Sequence, residues 1–420
     1  MRAWRILGLS LALTAIGVPQ DLPPEVIRLA RIKDRVRADL EHLPTYTCLE
    51  TIQRFQREGS AHLGPLDTVQ LEVFFSGGHE WFGAPGGRTM SHDDPSGFVA
   101  SGMIGTGNFG IALHNILNNA RFTYAGKEER NGKPAEKYSF HFDPDPGAFR
   151  IAVPGADAPV GEQGFLWADA KTLDLIRLEY NADEIPAELP IISQTSSVDY
   201  GNVSIGGRDI LLPQRSDEDL LHPGNIESFS HTEFSQCRAY ETETTIHFGD
   251  GPDSPPQTTA PKLPPAPPAR IPAMLKVTVE LTTPMTNQDV VGKLIEGRAS
   301  TSVSSKGKVI FPAGAIVHGR IRRLERFDEN TWIIGLEFTE VESPGGTQLF
   351  YADLLGMDTS KLLKLRHTET TKAGKVEIKL AEVPGVTAFF VTGQTFILPP
   401  GFHTIWRTRG PIRGLTPRAQ

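Results

Sequence analysis

The sequence predicts an α+β domain built on a curved antiparallel sheet with few helices, followed by a mainly-β, barrel-like domain. Three observations carry this expectation. Strand-like text recurs across two-residue turns, which favours antiparallel hairpins over parallel crossovers. Helical periodicity is confined to two short stretches. A segment from Gly251 to Ala273, "GPDSPPQTTAPKLPPAPPARIPA", holds nine prolines in 23 residues. Proline lacks the N–H and fixes φ, so this segment reads as an extended spacer. The predicted division is a leader over 1–20, an α+β domain over 21–250, the spacer over 251–273 and a β-barrel-like domain over 274–420.

The leader, "MRAWRILGLSLALTAIGVPQ", has Arg2 and Arg5 ahead of an apolar run from Ile6 to Val18. That run is short for a bilayer span, and small residues at Ala15 and Gly17 suit a cleavage site. It predicts export to the periplasm or the exterior; a buried helix and a membrane anchor are the alternatives. In an oxidising compartment Cys48 and Cys237 are expected to pair. The alternative is two separate buried thiols.

The first domain opens on a helix. In "PEVIRLARIKDRVRADLEHL", Leu29, Ile32, Val36, Leu40 and Leu43 recur at three and four residues and form one apolar stripe. "TYTCLETIQRF" and "DTVQLEVFFSG" then read as strands, and "FGIALHNILNN" as a short helix. Three hairpins follow, turning at Asn131-Gly132, near Ala170-Lys171 and at Gly206-Gly207. "IESFSHTEFSQCRAYETETTIHF" supplies the last strand or pair. In the second domain strands succeed one another with short turns. "GKVIFPAGAIVHGRI" and "FILPPGFHTIWRT" share Pro-x-Gly between apolar strands. Proline and glycine inside strand text mark edges, bulges and bends, so Pro312–Gly314 and Pro399–Gly401 predict two sheet corners. Two unrelated turns are the rival reading.

The 420 residues carry a net charge of −8. Residues 21–250 hold 19 Lys+Arg against 35 Asp+Glu, a net −16, and 274–420 hold 19 against 14, a net +5. The contrast suits contact between the halves or with an envelope partner. No basic run with interleaved aromatics occurs, so nucleic acid is not an expected partner.

No catalytic residue, cofactor or metal ligand set emerges. "GTGNFG", Gly105 to Gly110, spells G-x-G-x-x-G with Glu128 and Glu129 about twenty residues on. A poor strand precedes it and a hairpin follows, so it reads as a loop capped at Asn108. "HFDPDPG" offers Asp143 and Asp145, but prolines interrupt it and no glutamate closes a calcium loop. His92, Asp93 and Asp94 read as a polar turn. The most suggestive group is aromatic: Phe74, Phe75, Trp81, Phe82, Phe98, Met103, Ile104 and Phe109, amid glycine-rich text. These residues are candidates for lining an apolar cavity with a movable cover; filling the core beneath the sheet is the alternative.

At "GFLWADAKTLDLIRLEYNAD" the first domain resembles the LolA-like lipoprotein carriers of the periplasm, which implies a curved antiparallel sheet cradling lipid. At "IEGRAS", "GKVIFPAGAIVHGRI" and "EVESPGG" the second resembles the TrbI-like barrel of type IV secretion core proteins. That likeness spans roughly 275–358; no outer-membrane helical insertion is present, and residues from Thr359 onward depart from the family pattern. Together they imply an exported, non-catalytic envelope protein. Its partners would be an apolar or lipid ligand and envelope proteins. A secreted hydrolase with a dispersed site and a purely structural assembly protein are the other readings.

Overall fold

The computed structural model describes residues 22–76, 79–87, 90–92, 95–99, 103–105, 109–130, 132–144, 149–153, 156–240, 269–357, 377–379 and 386–410. The leader and most of the proline-rich spacer lie outside these residues. The fold class matches the expectation: among the described residues there are two large, curled, mostly antiparallel sheets, three two-stranded ones and two α-helices.

Helix α1 (Pro24–Glu41) starts with proline in its first turn, where the missing N–H costs nothing. Strands β1 (Tyr46–Arg57), β2 (Gly64–Ser76), β3 (His79–Gly83) and β4 (Met90–His92) follow. Helix α2 (Phe109–Asn119) leads into β5 (Arg121–Arg130) and β6 (Lys133–Phe142). A small pair, β7 (Arg150–Val153) and β8 (Ala156–Pro159), precedes the long strands β9 (Gly161–Asp169) and β10 (Leu175–Asp183). Then come β11 (Ser193–Ile205), β12 (Arg208–His222) and β13 (Ile226–Ala239). Eleven of these form one sheet in the order β4-β3-β2-β1-β13-β12-β11-β10-β9-β6-β5.

Both helices pack on one face of this sheet. Ile32 and Val36 of α1, with Leu113, Ile116 and Leu117 of α2, meet Tyr138, Phe140 and Leu166 of the sheet. The β9–β10 turn is set by Asp169, whose Oδ1 accepts hydrogen bonds from the N–H groups of Lys171 and Thr172 at 2.8 and 2.9 Å. Those two donors also hold its carboxyl below the usual range. Cys48 and Cys237 are bonded, on the adjacent strands β1 and β13. The register of that pair shifts between Thr47 and Leu49: Gln236 and Cys237 bulge on β13 opposite the single residue Cys48.

The second region runs β14 (Ala269–Arg270), β15 (Lys276–Leu281), β16 (Met285–Thr286), β17 (Leu294–Ala299), β18 (Val303–Ser305) and β19 (Lys308–Phe311). It continues with β20 (Ile316–Asp328), β21 (Thr331–Ser343), β22 (Gly346–Leu349) and β23 (Ala352–Met357). The last strands are β24 (Glu377–Lys379), β25 (Ala388–Thr392), β26 (Ile397–Leu398) and β27 (His403–Thr408). The sheet path is β14-β22-β21-β20-β17-β15-β27-β23. The chain links the two sides of this path, because β22, next to the end strand β14, runs through Phe350 and Tyr351 into β23 at the other end, and the sheet curls into a half-barrel. The last residues of the proline-rich segment already belong to it: β14 pairs with β22, and Ile271 is buried.

The two Pro-x-Gly turns are equivalent. Gly314 and Gly401 both have φ +81°, and Ala315 and Phe402 donate back to the carbonyls of Pro312 and Pro399. This is a type II turn, whose third residue needs positive φ and hence glycine. Gly314 N–H donates to the Ala299 carbonyl, and Ala299 N–H to the Ala315 carbonyl. Gly401, Leu281 and Phe402 repeat both bonds. Ser300 donates to Thr278 and Thr282 donates to Glu296, both at 2.9 Å. β15 with β27 is therefore related to β17 with β20 by a local two-fold axis. The small pairs β16–β26 and β18–β19 obey it too, with Met285 opposite Leu398 and Val303 opposite Phe311.

The halves share one core. Ile52, Val69 and Leu71 of the first region cluster with Val291, Ile295 and Ile321 of the second. Val291 forms a parallel bridge to Val69. Gln70 N–H donates to the Val291 carbonyl at 2.8 Å, and Val291 N–H to the Thr68 carbonyl at 2.9 Å. Gly292, at φ +97°, follows; a Cβ there would collide with the Gln70 carbonyl oxygen. The outer edge of β2 is thus met by the second region at Thr68 and Gln70, ahead of the stretch from Glu72 that pairs with β3, which occupies backbone groups that would otherwise invite foreign strands.

Candidate functional site

The stripe on α1 does more than fill a core. Beyond Ile32 the helix lies over a groove on the sheet, and Val36, Leu40 and Leu43 form its roof. Leu113 of α2 closes one side, and Leu211, Leu212 and Pro213 form a wall. Tyr46, Phe75 and Tyr200 lie on the floor, with Glu80 and Asp39 as the acidic groups at its rim. Burial raises the carboxyl of Asp39 and the hydroxyls of Tyr46 and Tyr200. The open space is about 30 Å³. Small-molecule pockets begin near ~300 Å³, so the groove is closed in this conformation.

Polar ties hold the roof down. Tyr138 OH donates to the Glu25 carbonyl at 2.9 Å, and Lys33 Nζ to the Leu117 carbonyl at 2.9 Å. Arg28 pairs with the buried Glu136, which also accepts from Tyr124 OH at 2.8 Å. Near the helix C-terminal half, Arg35 pairs with Asp174 at 3.3 Å.

A polar row crosses the face the helices cover. By register it runs Tyr180, Ser196, Glu218, Ser230, Arg54 and Asp67 across β10, β11, β12, β13, β1 and β2. Arg54 and Asp67 make a buried bidentate pair, 2.7 and 2.6 Å. Burial pushes Glu218 up to about 7 and Glu162, on neighbouring β9, up to about 8. Glu50 is also buried, and desolvation, then the charge of Glu80, raises it well above the carboxylate range. The loop at 103–105 seals this row: Thr232 Oγ1 donates to the Gly105 carbonyl at 2.6 Å. A Cβ on Gly105 would stand 2.6 Å from Glu218 Oε2.

The eight residues singled out in the sequence do not converge on one cavity. Phe75 lines the groove and stacks on Tyr46 at 5.3 Å. Phe82 and Phe98 are buried in the shared core, and Ile104 packs against it. Met103 packs against the smaller cluster around Leu189 and Ile191. Phe74 points to the opposite face, edge-on to Trp81 at 6.5 Å and to Tyr240 at 4.7 Å. Phe109 opens α2. The groove's roof was visible as the α1 stripe. Its wall, Leu211 and Leu212, was not, because alternation within a strand does not say which face a helix will cover.

Of the polar turns, Asp93, Asp94, Asn108 and Asp145 lie outside the described residues. Asp143 stands with His141 and Glu184 in a group of metal-ligand type. Arg121 already answers it, with two bonds to Asp143 of 3.1 and 3.0 Å and one to His141 Nδ1 of 3.2 Å. Among the described residues no helix is long and apolar enough to cross a membrane.

No protein-family model matches the sequence, and no curated protein does. Solved structures give distant matches. A LolA superfamily protein from Nitrosomonas europaea shares 11% identity over 53% of this chain and 98% of that chain, with TM-score 0.27. An outer membrane lipoprotein-sorting protein domain from Vibrio parahaemolyticus shares 12% over 50% and 90%, with TM-score 0.28. ComB10 of the Com type IV secretion system of Helicobacter pylori shares 12% over 33% and 86%, with TM-score 0.20.

Proposed function

We propose that the chain is an exported, non-catalytic cell-envelope protein. Its first region holds an apolar or lipid ligand beneath α1, and its second region docks to envelope partners. The observation that carries this reading is the groove between α1 and the sheet, roofed by Val36, Leu40 and Leu43 and walled by Leu211 and Leu212. Burying apolar surface there stabilises a bound chain by about 25 cal/mol per Å². Because the groove is closed, loading requires α1 to lift, with loss of the Arg28–Glu136 and Lys33–Leu117 ties. The disulfide fits an exported protein.

Native mass spectrometry and solvent extraction of protein purified from an envelope fraction test the reading. Copurified lipid, lost in Leu40→Arg while the fold is retained, is the expected result. Protein that emerges lipid-free and takes up no phospholipid from vesicles overturns it. The hydrolase reading would rest on Glu162 and Glu218, whose raised carboxyls are the type that serves general acid–base chemistry. It predicts cleavage of an ester or glycan panel that disappears in Glu218→Gln.

A further inference from the structure

The opposite face of the first sheet carries a second recess, unconnected with the groove. Its floor is set by register. One row runs Asn181, Thr195, Asp219 and Phe229 across β10 to β13. The next runs Phe165, Glu179, Ser197 and Asp217 across β9 to β12. Side-chain length falls to a minimum at Thr195 and Ser197 on β11 and rises on both sides, so the rows enclose a trough of about 400 Å³. Phe165 ends one row and Phe229 the other, on strands four places apart, roughly 19 Å at ~4.8 Å per strand. Phe165 is 38% exposed at the end of a polar floor; its ring lies 5.8 Å from Trp167 and carries Lys137 Nζ 4.4 Å from its centre.

The polar groups of the floor select the ligand. Of the three carboxylates lining the trough, Glu179 has arginines beside it, while Asp217 meets an imidazole and Asp219 an already paired arginine. Glu179 pairs with Arg177 at 2.6 Å, and Arg130 stands 3.9 Å away. Asp217 meets His231 Nδ1 at 2.6 Å. Asp219 feels both Glu227 and Arg57, which pair with each other. The trough therefore presents oriented carboxylate and amide acceptors beside the hydroxyls of Thr195 and Ser197. A neutral ligand rich in hydroxyl donors, with apolar C–H faces for the rings at either end, fits both halves of this chemistry.

We infer that the outer face of β9–β13 is a glycan-binding trough, in which a short linear oligosaccharide lies across the strands between Phe165 and Phe229. The side chains of Thr195, Ser197, Asn181 and Asp219 bond its hydroxyls, and the two phenyl rings stack on its sugar faces. This does not depend on the groove beneath α1, since no residue is shared.

Calorimetric titration of the full chain with cello-, chito- and malto-oligosaccharides tests it. At least one series binds the native protein. Phe165→Ala and Ser197→Arg, the second filling the trough, each weaken that binding by about tenfold or more. Both variants retain the native melting temperature to within a few degrees, and Phe165→Ala, which truncates an exposed side chain, remains decisive if Ser197→Arg misfolds. Absence of binding to every series overturns the inference. So does binding that survives both substitutions, which would place the sugar elsewhere. Tighter binding of a lysine-rich peptide than of any sugar, abolished by Ser197→Arg, would also overturn it.

Discussion

The two regions bury different chemistry. In the first, Glu50, Glu136, Glu162, Asp169, Gln194 and Arg54 are all at or below 9% exposure. In the second, the buried charges among the described residues are Arg322 and Glu325, both on β20, the strand that meets β2 at the seam. The first region is covered on one face by helices and lacks internal symmetry. The second is a nearly dry core built twice from one strand-turn-strand unit. A core that carries ionisable rows under a helical cover keeps stability in reserve for a site.

Breaking the cross-link strains this comparison most. Cys48 and Cys237 are 189 residues apart in sequence, so loss of their bond frees a long loop. Cys48→Ser with Cys237→Ser should cost about 5 kcal/mol at most, seen as a lower urea midpoint. Because the core is shared, the loss should appear in one transition; two separated transitions would show that the halves unfold independently.

The buried acids give the next effect. An ordinary glutamate titrates near 4.5, whereas burial raises folded Glu162 to about 8. Between those values the folded state holds a proton that the unfolded chain has released, so stability falls as pH rises across that window and levels off above it. Glu162→Gln should flatten that fall and gain on the order of 3 kcal/mol at pH 8, read by denaturation at several pH values. An unchanged slope would mean that Glu162 is solvated and that the first region buries less charge than described.

The seam comes next. Gly292→Ala adds a Cβ against the Gln70 carbonyl at a left-handed φ. It should cost about 2 kcal/mol and speed hydrogen exchange at the Gln70 and Val291 amides above all others. Smallest, and sharpest for the symmetry, is a pair. Gly314→Ala and Gly401→Ala place alanine at φ +81° in equivalent turns and should each cost about 1 kcal/mol, equal within error. Clearly unequal losses would reduce the two-fold relation to a coincidence of backbone path.

Much of this was legible in the sequence, for local reasons. Turn pairs such as Gly206-Gly207 announced their hairpins, because only glycine takes positive φ without strain. The α1 stripe announced an amphipathic helix. Pro312–Gly314 and Pro399–Gly401 announced bends, and the similarity of their flanks hinted that they were one device used twice. The aromatic cluster was less informative. Phe74 and Phe75 are adjacent, and a strand sends neighbours to opposite faces, so composition alone could not keep them in one cavity.

By itself, then, the amino-acid order determined the things that depend on one residue and its near neighbours: strand and helix type, turn positions, the unlike charge of the halves, and which cysteines could meet. Only the tertiary structure decided what depends on strand order and register. It buried Glu162 on β9, set Glu218 under the loop at 103–105, laid Val291 along the edge of β2, and put Phe165 and Phe229 at opposite ends of one trough. The physical reason is that hydrogen-bonded pairing across a sheet joins residues far apart in sequence, with a period of two and no local signal to show which partner will be opposite.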